Sequence, residues 1–172
     1  MIWMDASVRF LNSNLEPKFQ DAKRYGVLAS EGYAPIAVRT HPKTFKILEE
    51  EACAFKQVNE WEATFIIISA NKFVSEYFMK PWVFCALTFG CLVPDDNTEG
   101  YINCKGVRNV YFDCHRFDQS ILSILLARLY NDNLGAHVMK HNFYSFCKSV
   151  DYAWFLPQFM NEIVLKTFEK CL

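Results

Sequence analysis

This sequence has few glycines and almost no excess of charge of either sign. Only six glycines occur among 172 residues, and they are scattered along the chain. This excludes the glycine-rich phosphate loops of P-loop proteins and dinucleotide-binding folds. Eighteen Lys and Arg residues nearly balance nineteen Asp and Glu residues, which gives a formal net charge of −1. Since no basic tract or stripe is present, the sequence does not favour a nucleic-acid partner.

Long hydrophobic runs are missing as well. The longest uncharged stretch extends from Pro81 to Pro94 and includes Gly90, whereas a membrane-spanning helix needs roughly 20 apolar residues. The first residues also lack the basic segment and apolar run of a secretory signal peptide. We therefore expect neither a membrane span nor a targeting signal within this chain.

The seven cysteines show no CxxC spacing, which argues against a zinc ribbon or a thioredoxin-type site. Four of the seven cysteines are clustered. Their successive spacings of six, thirteen and ten residues suit disulfides that close loops in an oxidising compartment. Four cysteines permit three pairings, and buried free thiols are the alternative. We expect at least one disulfide, holding the loop between Gly90 and Gly106. The four clustered cysteines are Cys85, Cys91, Cys104 and Cys114.

Hydrophobic residues, by contrast, are plentiful, at 52% of the chain with 16% aromatic. Such a composition is too apolar for a disordered chain, and the length suits one domain covering residues 1–172. Segments with strand and helix patterns alternate, which predicts an α/β fold with a mixed sheet flanked by helices.

Four segments give the clearest structural expectations. The apolar run Met1–Met4 is typical of a buried strand, and Ile36–Val38 of a short strand. The β-branched run Phe65–Ile68 predicts a central strand covered on both faces. Arg116–Tyr130 is apolar nearly all round, which predicts a buried helix. Six side chains of the last two segments should be almost fully buried: Ile66, Ile67, Ile68, Leu122, Leu125 and Leu126.

Two polar side chains, Asp5 and Ser7, directly follow the first apolar run. Ligands of open α/β sheets bind beyond the carboxyl ends of strands, so Asp5 is placed to meet a metal ion or a sugar hydroxyl. Mg²⁺ and Mn²⁺ both prefer carboxylate, phosphate and water oxygens. An Asp that only caps a turn is the alternative, and the residues alone favour it.

A second polar cluster, from His115 to Ser120, stands at the start of the predicted buried helix. The apolar remainder of the helix would hold these groups rigidly, as a site requires. Asp118 could act as general base on an acceptor hydroxyl, and Gln119 could bind a sugar. Asp118 is equally suited to capping the helix, where its charge favours the helix dipole.

Together these clusters resemble an uncharacterised animal protein family with W-x-D-x-S-x-R-F and C-H-R-[FY]-D-x-S motifs. That family looks related to the GT-A-type nucleotide-sugar glycosyltransferases and occurs in secreted or Golgi-anchored chains. The resemblance extends from about Ile2 to Tyr130. The matching segments, in order, are Trp3 to Phe10, Thr40 to Pro42, Pro81 to Leu87 and Cys114 to Ser120.

The resemblance implies an activity and a location. A glycosyltransferase of this kind would move a sugar from a nucleotide-sugar donor to a glycan or protein acceptor, in the Golgi or ER lumen or outside the cell. Asp118 would be the base and Gln119 an acceptor-binding residue. The chain would correspond to the C-terminal, acceptor-side part of a GT-A fold, although a shared fold does not by itself fix a function.

The donor side would carry the metal. In GT-A enzymes a DxD motif holds a divalent ion on the donor diphosphate, and Asp5-Ala6-Ser7 matches only its first position. By resemblance, Asp5, Ser7 and Arg9 would bind the donor, Asp5 would bind Mn²⁺ or Mg²⁺, and His115 would be an additional metal ligand. Because Ser7 replaces the second carboxylate, metal binding would be weak.

Only four residues precede Asp5, whereas a GT-A domain places its nucleotide-binding half before the DxD strand. We therefore expect a partial domain, whose first strand pairs on one side and leaves apolar surface on the other. We also expect that the isolated chain has no useful affinity for nucleotide sugars. The alternatives are a non-catalytic sugar-binding or partner-binding secretory domain, and a disulfide-containing domain whose polar clusters are only helix caps.

Overall fold

The structure is a computed structural model that describes residues 1–6, 8–94, 104, 111–112, 114–130, 138–139 and 144–146. Its backbone contacts divide the chain into two compact units. The first unit comprises Met1–Met4 and Asn14–Lys140, and the second comprises Asp5–Ser13 and His141–Leu172. The single domain predicted for residues 1–172 stays a prediction.

A three-stranded antiparallel sheet forms the centre of the first unit. Its strands are β1 (Ile2–Met4), β3 (Val27–Pro35) and β4 (Asn59–Ile68), in the order β1-β4-β3. The α/β class and the central position of the Phe65–Ile68 segment are thereby confirmed, whereas the described strands of this sheet pair antiparallel and not in the predicted mixed arrangement. The strand that lies between them in sequence, β2 (Val8–Phe10), belongs to the second unit and pairs antiparallel with β5 (Tyr144–Phe146).

Helices accompany the sheet. They are α1 (Glu16–Tyr25), α2 (Pro42–Ile47), α3 (Lys72–Val74), α4 (Lys80–Leu87) and α5 (Asp118–Tyr130). Gly26 ends α1 with a φ of 92°, a conformation that glycine adopts without strain. A π-helical turn, Ser75–Met79, joins α3 to α4. The turn ends two residues before Pro81, whose missing N–H interrupts regular α-helical hydrogen bonding.

The core of the first unit lies between the sheet and α5. Every residue of α5 from Gln119 to Ala127 is buried, as the predicted apolar helix requires. The six side chains expected to be nearly fully buried are so, with at most 5% of any of them exposed. In the described part of the chain, no helix combines the length and apolar character of a membrane crossing.

The first strand differs from its prediction. β1 pairs with β4, with Trp3 opposite Ile66, so the expected pairing on one side is confirmed. Trp3 and Met4 are nevertheless 54% and 43% exposed, and the prediction of a buried strand is wrong for them. The reason is position, because β1 ends the order of the described strands and has one neighbour, β4, in that order.

The prediction of a strand at Ile36–Val38 is also wrong. These three side chains are buried as an apolar run should be, but the backbone forms a 3₁₀ turn. The Ile36 N–H donates to the carbonyl of Val58, and the Arg39 N–H donates back to that of Ile36. The turn carries the chain out of β3 toward α2 while its side chains stay in the core.

Two disulfides confirm the cysteine prediction. Cys85 pairs with Cys91, and Cys104 pairs with Cys114, with Cα–Cα distances of 5.2 and 5.4 Å. Both distances fall within the reach of an unstrained bridge. Cys53 is a free, exposed thiol. The two bridges fit a secreted or lumenal protein, because disulfides persist in oxidising compartments.

Candidate functional site

The N-terminal turn of α5 is anchored by hydrogen bonds to the segment that follows the 3₁₀ turn. The hydroxyl of Ser120 donates to the Arg39 carbonyl over 2.7 Å and accepts the Arg116 N–H over 3.0 Å. The Arg116 N–H also reaches the Arg39 carbonyl, at 3.2 Å. Asp118, the first residue of the helix, accepts the Gln119 N–H at Oδ1 over 2.9 Å and is exposed. The start of α5 is therefore a fixed platform with an exposed carboxylate.

Beneath this platform lies a buried carboxylate, Glu60 of β4. Arg39 Nη1 donates to its Oε1, and Gln119 Nε2 donates to its Oε2, each over 2.6 Å. Arg116 Nη2 in turn donates to Gln119 Oε1 over 3.3 Å. These four residues are called the Glu60 network below. They link the chain before α2, the central strand and the start of α5.

Burial sets the electrostatics of the Glu60 network. Removal of the Glu60 carboxyl from water raises its pKa above the usual value, while the Arg39 charge and the Gln119 hydrogen bond act in the opposite direction. A buried carboxylate is tolerated only when its oxygens are paired, and both oxygens of Glu60 are. The network therefore stabilises the buried charge, because each carboxylate oxygen of Glu60 accepts a hydrogen bond.

Gly32 makes room for this carboxylate. The pairing register of β3 and β4 shifts between Glu31 and Pro35, and Gly32 lies within this irregular stretch. A Cβ atom at Gly32 would lie 2.6 Å from Glu60 Cγ. Glycine is needed here because the backbone and the Glu60 side chain approach each other so closely.

His115 lies just before the helix and is engaged at both ring nitrogens. Its Nδ1 accepts the His41 N–H over 3.2 Å, and its Nε2 is 3.0 Å from the Leu92 carbonyl, to which it donates. Burial lowers the pKa of His115 from 6.5 to about 4, so the ring is neutral at pH 7. A metal ion at either nitrogen would have to displace one of these hydrogen bonds.

This environment predicts an acid-labile fold. Between pH 6.5 and 4 the unfolded chain binds a proton at His115 that the folded chain does not, so the free energy of unfolding falls as the pH is lowered. We expect a loss of about 3 kcal/mol from this residue between pH 7 and pH 4. Urea denaturation across this range should show a shallower pH dependence for His115→Gln. An unchanged slope in that variant would contradict the prediction.

The predicted site residues fall into both units. Asp5 and Arg9 belong to the second unit and are exposed, and the carbonyl of Asp5 accepts the Val8 N–H over 3.0 Å in a turn. Ser7 lies outside the described residues. The other three predicted residues, His115, Asp118 and Gln119, belong to the first unit. Within the first unit the structure thus joins Gln119 to Glu60, Arg39 and Arg116, whereas Asp5 and Arg9 are part of the second unit.

No metal centre is assembled by the described residues. Among them, no group of three His, Cys, Asp or Glu side chains is placed to hold a metal ion. Asp5 and His115, the two predicted ligands, belong to different units. The prediction of a divalent ion at Asp5, with His115 as an additional ligand, stays a prediction.

Sequence reasoning missed Glu60 and Arg39, the central pair of the network. Glu60 stands one residue before Trp61, in a strand that becomes wholly apolar at Phe65. Arg39 directly follows the apolar run Ile36–Val38. A charged residue next to a core segment needs a partner when it is buried. This rule is the signal in the sequence that could have pointed to Glu60 and Arg39.

Comparison of the chain with protein-family models, with characterised proteins and with solved structures found no match.

Proposed function

We propose that this chain is a glycosyltransferase-like protein of a secreted or lumenal compartment, with the start of α5 on its acceptor side. The observation that supports this is the exposed Asp118 carboxylate on a platform fixed by Ser120 and the Glu60 network. A base is effective when its position is fixed before the substrate binds. Both disulfides support the compartment.

In the proposed reaction, the Asp118 carboxylate accepts one proton. The acceptor hydroxyl oxygen attacks the anomeric carbon of the donor sugar, and the bond from that carbon to the nucleotide diphosphate breaks. The hydroxyl proton passes to the Asp118 carboxylate, and the nucleoside diphosphate leaves. General-base catalysis of this kind contributes roughly 10²–10⁴-fold in rate.

The donor side of the proposal belongs to Asp5, Ser7 and Arg9. A carboxylate, a hydroxyl and a guanidinium are groups that meet ribose hydroxyls and phosphate oxygens. Mn²⁺ or Mg²⁺, bound at Asp5, would neutralise charge on the donor diphosphate. The correspondence of this chain to the acceptor-side part of a GT-A fold is likewise part of this proposal.

Asp118→Asn tests the acceptor side. We expect it to weaken binding of oligosaccharide acceptors at least tenfold, because it removes one charge-assisted hydrogen bond worth roughly 1.5–3 kcal/mol. Titration of the purified chain with a panel of acceptor glycans measures this. Glu16→Gln is the matched control, since Glu16 is an exposed acid in the first turn of α1. Equal binding by wild type and Asp118→Asn would refute the assignment.

A second candidate is a non-catalytic sugar-binding or partner-binding domain. It is favoured by Ser7, which stands where the DxD motif of an active enzyme has its second carboxylate. Transfer assays with UDP-sugars and Mn²⁺ separate the two. Transfer that falls at least 100-fold in Asp118→Asn supports the enzyme, whereas acceptor binding without transfer supports the second candidate.

A further inference from the structure

The helical run from Lys72 to Leu87 is apolar on both of its sides. Its inner side is buried, with Val74, Phe78 and Cys85 in the core. Its outer side and the following turn carry six large apolar side chains that are between 47% and 83% exposed. We name this surface the aromatic face, and it consists of Phe73, Tyr77, Val83, Phe84, Leu87 and Phe89.

The aromatic face is large for a surface that meets only water. Its four aromatic side chains alone expose about 500 Å², on the basis of roughly 200 Å² for a whole aromatic side chain. This equals the largest apolar patch of an ordinary monomer, about 300–600 Å², and such patches are commonly functional. A stable interface buries about 800 Å² on each partner. The exposed parts of Val83 and Leu87 supply much of the area by which the four aromatic side chains fall short of that value.

The face is also held in a fixed shape. Phe73 and Tyr77 contact each other with ring centroids 5.3 Å apart. The disulfide between Cys85 and Cys91 ties the end of α4 to the turn that carries Phe89, and the Lys43 ammonium lies 5.2 Å from the Phe89 ring centroid. A prearranged surface loses little conformational entropy on binding.

We propose that the aromatic face is a dimer interface, on which the same face of a second copy packs in antiparallel orientation. A two-fold contact requires a surface that is complementary to itself. Phe73 and Tyr77 lie four residues apart, Phe84 and Leu87 lie three apart, and Tyr77 and Phe84 lie seven apart. In an antiparallel pair of these helical runs, Tyr77 can meet Phe84 of the second copy, and Phe73 then lies within one residue of Leu87 of that copy.

The charges of the helical run favour a second copy over a lipid surface. Glu76 and Lys80 form an ion pair of 2.5 Å at the middle of the run, and Lys72 is its only other charged residue. Helices that lie on membranes carry a polar face rich in Lys and Arg. In the antiparallel pair, each copy brings its own Glu76–Lys80 ion pair near the two-fold axis, and each of these pairs is neutral.

Sedimentation equilibrium of the 172-residue chain tests the proposal. We expect a dimer whose dissociation constant rises at least 100-fold in Phe84→Glu, because a charge is then buried against an apolar partner surface. Tyr33→Glu is the control: Tyr33 is an aromatic residue of β3, 85% exposed and outside the face, and its variant should stay dimeric. Circular dichroism checks that each variant is folded.

The orientation has its own test. Tyr77→Lys and Phe84→Glu should each be monomeric, whereas their mixture should form a heterodimer, because the introduced ammonium of one copy then meets the introduced carboxylate of the other across the two-fold axis. A monomeric wild type would overturn the proposal, as would a dimer that Phe84→Glu leaves intact. Binding of the monomer to phosphatidylserine vesicles, abolished by Phe84→Glu, would instead assign the face to lipid. Absence of heterodimer in the mixture would overturn the antiparallel arrangement.

Discussion

Replacing Arg39 by Met is expected to lower the free energy of unfolding by about 3–5 kcal/mol. Arg39 donates to Oε1 of the buried Glu60 and is itself largely buried. Methionine keeps much of the volume of the arginine side chain but removes the charge and the donor. Among the described residues, Glu60 then keeps the amide of Gln119 as its hydrogen-bond donor and loses the charge that contacts it directly. Urea denaturation at pH 7 measures the loss.

The pH dependence of the Arg39→Met variant identifies the cause. Burial raises the pKa of Glu60, and Arg39 opposes that rise, so its removal raises the pKa further. A folded-state pKa above the unfolded value means that the folded chain binds the proton more tightly, and stability increases as the pH falls through that pKa. We therefore expect the loss caused by Arg39→Met to be smaller at pH 5 than at pH 8.

Glu60→Gln provides the control. In the Arg39→Met background it removes the buried charge, and the double variant should be more stable than Arg39→Met alone. The coupling between the two substitutions should then be within the range of about 0.5–3 kcal/mol that residues in one hydrogen-bonded network show. Additive effects, or a loss independent of pH, would show that Arg39 contributes through packing alone.

The parts of the fold that the sequence predicts are those in which local pattern and burial agree. α5 has apolar residues on all sides and β4 contains a continuous β-branched run, so each had to lie inside the first unit. β1 has an equally apolar sequence but ends the sheet. Whether a strand has one neighbour or two depends on the topology, which the strand's own residues do not encode.

The candidate site divides in the same way. Asp118 and Gln119 are recognisable as the start of a helix, because polar residues directly precede an apolar run. The partner of Gln119 is Glu60, 59 residues earlier, and the partner of Glu60 is Arg39, a further 21 residues earlier. Such contacts arise from the packing of three separate elements. No local spacing rule predicts them, although a charged residue beside a core segment signals that some partner exists.

The disulfides could be predicted only in part from the sequence. Their clustering was enough to predict a bridge, but four cysteines allow three pairings. The structure selects Cys85 with Cys91 and Cys104 with Cys114. The first pairing depends on where α4 ends, at Leu87, and on the turn that follows it. A boundary of that kind is the least certain feature of a sequence-based prediction.

Leu125→Ala should lower the free energy of unfolding by about 2–5 kcal/mol, the range for truncating a large aliphatic side chain in a core. Leu125 is fully buried on α5 and belongs to the cluster that packs between this helix and β4. Truncation loses its transfer free energy and leaves a cavity, because Ile121, Leu122 and their neighbours are themselves tightly packed.

Two further variants make the Leu125 measurement specific to packing. Leu125→Met conserves the volume and should lose less than about 1.5 kcal/mol. Leu11→Ala makes the same chemical change at a site that is 58% exposed, and it should change stability by at most about 0.5 kcal/mol. Thermal and urea denaturation of all three variants give the comparison. Equal losses for Leu125→Ala and Leu11→Ala would mean that α5 is not the helix on which the core is built, and both the platform for Asp118 and the proposed acceptor side would lose their support.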